Sequence, residues 1–149
     1  MQLTELKRRV KLALQELQKN EQHLLLNGLN ERTIASHLAH YLAAHFLEYN
    51  VDHEYNGNID NRKGKKFLDA SPVYPDIIIH TRGKNVNNLL IIEVKKTINP
   101  GKQQEANEKK LLGYIAEGCE FRYPFGLFLG IGTKSQTGKV RQDRFENEA

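Results

Sequence analysis

The sequence predicts an α/β domain, a small mixed β-sheet flanked by helices. Two stretches, around residues 3–17 and 34–46, carry apolar residues at helical spacing. Two runs rich in β-branched residues, 75–82 (PDIIIHTR) and 88–95 (NLLIIEVK), read as strands. A second helical pattern at 103–117 is followed by another apolar run, 123–131 (YPFGLFLGI). The chain of 149 residues suits one domain, 1–149, with a modest core and no linker or internal repeat.

In the first helical stretch, placed at 1–26, Leu3, Leu6, Val10, Ala13 and Leu17 form one face. Asn27, Gly28 and Asn30 break it, and Asn30 is suited to cap the next helix. That helix buries Ile34, Ala35, Leu38, Leu42 and Phe46. Residues 51–56 (VDHEYN) read as a short edge strand, and 57–72, polar and rich in Gly and Lys, as a long loop. Gly83 to Val86 form a turn between the two strand runs. The second run is apolar at every position from Leu89 to Ile92, which marks a central strand buried on both faces. In the helix at 103–117, Leu111, Leu112, Ile115 and Ala116 lie on one side. The segment 133–149 reads as a polar, basic, mobile tail.

Composition narrows the function classes. No apolar run approaches the roughly 20 residues of a membrane span. The N-terminus, MQLTELKRRV, lacks the apolar core of a secretory signal, so a cytoplasmic location is expected. The single cysteine, Cys119, leaves no internal disulfide and no cysteine-rich zinc site. The formal charge is +4. Its distribution is uneven: Arg62, Lys63, Lys65 and Lys66 crowd one loop, and Lys134, Lys139, Arg141 and Arg144 crowd the tail. Such groups are either solvated loops or contacts to nucleic acid.

The chemistry concentrates at Asp76, Glu93 and Lys95. Alternation along a strand sets Glu93 and Lys95 on one face and Val94 on the other. If Arg82 pairs with Asn87 across the turn, antiparallel pairing sets Asp76 directly opposite Glu93. Two carboxylates so placed repel, and a divalent cation between them removes the penalty. Hard oxygen donors suit Mg²⁺, with Mn²⁺ as a substitute. Without the register and the apolar strand around them, these residues read as a strand-edge acid and an exposed ion pair.

The order Pro75-Asp76, a short strand, then Glu93-Val94-Lys95 resembles the PD-(D/E)xK motif of the restriction-endonuclease-like nucleases. The similarity extends by element order over residues 30–131, with its sharp part at the motif residues. That family also tends to carry a glutamate on a helix before the first core strand, and Glu31 in NERTIASHLAHYL looks like that residue. Its position on the apolar stripe predicts an inward side chain, although the helix dipole alone also favours an acid there. The polar contact often found on the helix after the motif falls on Gln103 or Gln104, or on Lys109 or Lys110.

The resemblance implies a restriction-endonuclease-like core and metal-dependent hydrolysis of phosphodiester bonds in DNA. It implies Asp76, Glu93 and the Val94 carbonyl as metal ligands, with Glu31 completing the site or serving a second metal. Lys95 would orient the attacking water and balance phosphate charge, and Arg62, Lys63, Lys65, Lys66, Lys134, Lys139 and Arg141 would contact the DNA. A homodimer or a separate targeting partner would supply sequence reading. The alternative is a non-catalytic module on the same fold, binding nucleic acid or protein.

Other motifs carry less. His37 and His40 lie three apart on a helix, but no Cys or nearby Asp completes a set, so surface positions are expected. His80 shares the strand face of Asp76 and could lie near the site, but sheet packing is the preferred expectation. GTKSQTGK imitates a phosphate loop, but five residues separate Gly132 from Gly138 and Val140 follows Lys139. There is no Gly-x-Ser-x-Gly nucleophile elbow.

Overall fold

The computed structural model describes residues 1–27, 30–54, 75–83, 87–95, 123–131 and, by backbone, 140–147. The predicted loop at 57–72, the predicted helix at 103–117 and the turn residues 84–86 lie outside that description.

The first helix, α1 (Leu3–Asn20), buries Leu6, Val10, Ala13, Leu14 and Leu17; of the predicted stripe only Leu3, at the helix start, is partly buried, and Leu14 joins the buried face. The helix expected through residue 26 stops earlier. Glu21 leaves helical geometry (φ −119°, ψ 33°), and a short α2 (Gln22–Leu26) follows. At this break the Glu21 carboxylate accepts the Tyr41 hydroxyl at 2.8 Å, tying the corner to the next helix. That helix, α3 (Glu31–His45), starts as the sequence predicts, with the Asn30 side chain accepting from the Thr33 N–H at 2.8 Å. It buries Ile34, Ala35, Leu38, Ala39 and Leu42, and Phe46 follows at its end, fully buried.

The two long helices run antiparallel. Arg9 of α1 donates to the His45 carbonyl at the end of α3, and Glu21 after α1 meets Tyr41. Arg9 also pairs with Glu48 and lies over the Phe46 ring at 5.4 Å.

Among the described residues five strands form one sheet: β1 (Asn50–His53), β2 (Ile77–His80), β3 (Leu90–Lys95), β4 (Phe125–Ile131) and β5 (Val140–Asn147). They lie side by side in chain order. Pairing is antiparallel except between β3 and β4, which are parallel, so the sheet is mixed. A parallel pair needs a long crossover, and residues 96–124 make that connection. The segment expected as a tail instead contributes β5, an antiparallel edge partner of β4. Its sequence, VRQDRFEN, lacks apolar alternation because an edge strand tolerates charge.

One face of the sheet packs on the helices. Ile77, Ile79, Leu90, Ile92, Val94, Leu127, Leu129 and Ile131 join the helix side chains in a single core. Each such aliphatic side chain contributes about 1.5–3 kcal/mol when fully buried. The opposite face is buried too, at Ile78, Ile91 and Phe128, and at the polar His80 and Glu93. That double burial explains the unbroken apolar run of β3, which is the central strand. Among the described residues no helix is long and apolar enough to cross a membrane. The architecture is α/β with a small mixed sheet and helices against it.

Candidate functional site

The β2–β3 hairpin carries the motif residues. Its ladder pairs Ile77 with Ile92, Ile78 with Ile91 and Ile79 with Leu90. Continued by one step, this register sets Asp76 level with Glu93, as the sequence predicts. Asp76 itself occupies the bend just before β2 rather than the strand. Its carboxylate crosses to β3, where Oδ2 accepts the Val94 N–H at 2.7 Å. The bond fixes the Asp76 side chain beside the backbone that joins Glu93 to Lys95.

Glu93 is only 2% exposed and lies on the sheet face away from the helices, between Ile91 and Lys95 by alternation. A carboxylate at that depth is strongly disfavoured as an ion unless protein groups or a cation compensate its charge. Lys95, at the end of β3, is partly covered, and its Nζ stands 3.5 Å from Glu31 Oε2.

Glu31 therefore comes to the site, but not as expected. The helix stripe predicts an inward side chain, whereas the Glu31 side chain is 39% exposed and reaches outward to Lys95. It is the first residue of α3, and its side chain pairs with the lysine at the end of β3. The next residue, Arg32, pairs with Glu54 Oε1 at 2.9 Å. Glu54 follows β1, and its N–H donates to the Asp76 carbonyl at 3.0 Å. The first turn of α3 thus reaches past β2 to both neighbours, Lys95 on one side and Glu54 on the other.

Asp76 and Glu93 are hard oxygen donors on adjoining chain segments, which fits Mg²⁺ or Mn²⁺. Mg²⁺ takes one or two carboxylates and fills its remaining positions with water or phosphate oxygens. Among the described residues no group of three or more His, Cys, Asp or Glu side chains is assembled to hold a metal. The candidate donors are then Asp76 and Glu93, with the Val94 carbonyl between Glu93 and Lys95, while Glu31 is engaged at Lys95.

A second polar cluster lies toward the other end of β2. His80, nearly fully buried, bonds Asp52 Oδ2 through Nε2 at 2.6 Å, and Arg82 bonds both Asp52 oxygens. Burial pushes the Asp52 carboxyl up, but hydrogen bonds from Arg82 and His80 outweigh it, and the net shift is downward. His80 thus belongs to sheet packing, one of the two readings its sequence position allows. Asp52 stands in the predicted edge strand and escapes notice there because its partners come from β2 and the turn that follows it.

Of the predicted DNA contacts, Arg141 lies on β5 opposite Gly130. Arg62, Lys63, Lys65, Lys66, Lys134 and Lys139 lie outside the described residues, as do Gln103, Gln104, Lys109 and Lys110. His37 is half-exposed, 3.6 Å from Glu21, and His40 is exposed against the Tyr41 ring, both surface positions as expected.

No protein-family model, curated protein or solved structure matches the chain.

Proposed function

We propose that this protein is a metal-dependent nuclease that hydrolyses phosphodiester bonds in DNA, with a restriction-endonuclease-like core. The observation that carries the reading is the hairpin register. It brings Asp76 level with the buried Glu93, and Lys95 follows two residues later on the same strand.

The chain's own groups divide the work. Asp76 and Glu93 would hold Mg²⁺, and the Val94 N–H keeps the Asp76 carboxylate in place before metal arrives. The cation supplies Lewis acidity toward the scissile phosphate and stabilises charge that develops on its oxygens. Lys95 orients the attacking water and offsets phosphate charge. Glu31 holds the Lys95 ammonium at the site, so it acts on the reaction through Lys95.

Melting curves and plasmid nicking, each with and without Mn²⁺, test the reading. Mn²⁺ should raise the melting temperature of the wild type by binding the folded state. Asp76→Asn keeps an oxygen for the Val94 N–H, so the metal-free protein should stay as stable, while the Mn²⁺ gain and nicking disappear. Lys95→Ala should retain the Mn²⁺ gain but nick about a hundredfold more slowly. A wild type with neither metal stabilisation nor nicking would leave the non-catalytic binding module as the better account.

A further inference from the structure

Arg32 is oddly placed for a structural residue. A cation in the first turn of a helix opposes the helix dipole, and Arg32 is the second residue of α3. Its side chain is 73% exposed, so packing does not hold it there. Its partner is also unusual. Glu54 is a non-glycine residue with φ of 53°, in the left-handed region that such side chains normally avoid. An exposed ion pair of this kind contributes little to stability. Position supplies a better reason. Glu54 is bonded through its backbone to Asp76, and Glu31, adjacent to Arg32, is paired with Lys95. Arg32 and Lys95 therefore stand on opposite sides of the Asp76 end of β2.

We propose that Arg32 is a phosphate-binding residue of the nucleic-acid site, and that Glu54 holds it closed until a backbone phosphate displaces the carboxylate. The inference rests on the nuclease reading and adds a contact outside the metal-binding set. A guanidinium forks onto a phosphate as it does onto a carboxylate, so the exchange replaces one charge-assisted pair with another. Glu54 meanwhile keeps the arginine aimed across the rim of the site. A bound duplex would then be gripped by Lys95 at the scissile phosphate and by Arg32 at a neighbouring one.

The test is fluorescence anisotropy with a labelled DNA duplex in Ca²⁺, over a range of salt concentrations. Four proteins are compared: wild type, Arg32→Ala, Glu54→Gln and the double variant, each first shown to be folded by its melting curve. Arg32→Ala should weaken binding about tenfold, the equivalent of one charge-assisted hydrogen bond. It should also flatten the plot of log affinity against log salt by about 0.9, the loss of one phosphate contact. Glu54→Gln should tighten binding by up to about fivefold, because the competing ion pair is gone. That gain should vanish when Arg32 is already alanine. An equal gain in both backgrounds would make Glu54 a simple repulsive charge and overturn the proposal. Wild-type binding that Arg32→Ala leaves unchanged would overturn it while sparing the nuclease reading. Absence of duplex binding by the wild type would overturn both.

Discussion

Asp52 binds Arg82 with both oxygens and His80 with one, and its side chain is only 16% exposed. Its folded-state pKa lies below the ordinary value of 3.8, despite the opposing effect of burial. The folded protein therefore takes up this proton less readily than the unfolded chain does. The resulting stabilisation is fully present above about pH 4 and is lost as pH falls through the folded-state value. Urea titrations across the acid range should show a stability slope that Asp52→Asn reduces. At neutral pH the same variant should be less stable by about 1 kcal/mol, through weakened hydrogen bonds. The motif residues were more legible in the sequence than this cluster. Hairpin parity alone ties Asp76 to Glu93. Asp52 meets His80 and Arg82 only through the β1–β2 register, across a long connection whose length fixes no parity. Arg32 and Glu54 were hidden for the same reason, since their pairing depends on where α3 docks.

At the scale of elements, α3 matters most to the site, because its first turn carries both Glu31 and Arg32. Asn30 sets where that turn begins. Asn30→Ala should lower stability by about 1 kcal/mol in urea unfolding, and Asn30→Ser should restore most of it. Fraying of the turn should also loosen the Lys95 and Glu54 pairs, so the alanine variant should lose more nicking activity than its stability predicts. The helix start was readable from Asn30 and the apolar stripe behind it. The direction of Glu31 was not, because a stripe defines a face but not which side chain of the sheet a terminal residue meets. The early end of α1 was equally hidden: nothing local in LQKNEQHLLL marks Glu21, whose anchor is Tyr41 on another helix. β5 went unread because its role as an edge partner of β4 leaves no apolar pattern behind.

At the scale of the whole molecule, the described strands repeat the order of the chain, and among them the β3–β4 pair is parallel and waits on a long crossover. The broad α/β class was legible from the two periodicities, and the central position of β3 from its unbroken apolar run. The same layout has a kinetic consequence. Asp76 and Val94 are only eighteen positions apart in the chain, so the β2–β3 loop is cheap to close, whereas the parallel pairing must await a far longer one. Hairpins close within about 1–10 μs. On the proposed metal-binding reading the two acids would be among the first distant groups to meet, and without a cation their repulsion would oppose that early step. Stopped-flow refolding should therefore accelerate when Mn²⁺ is added, with a smaller effect on unfolding, and Asp76→Asn should refold at the same rate with or without the ion. If Mn²⁺ slows unfolding alone, the acids close together only after the rate-limiting barrier.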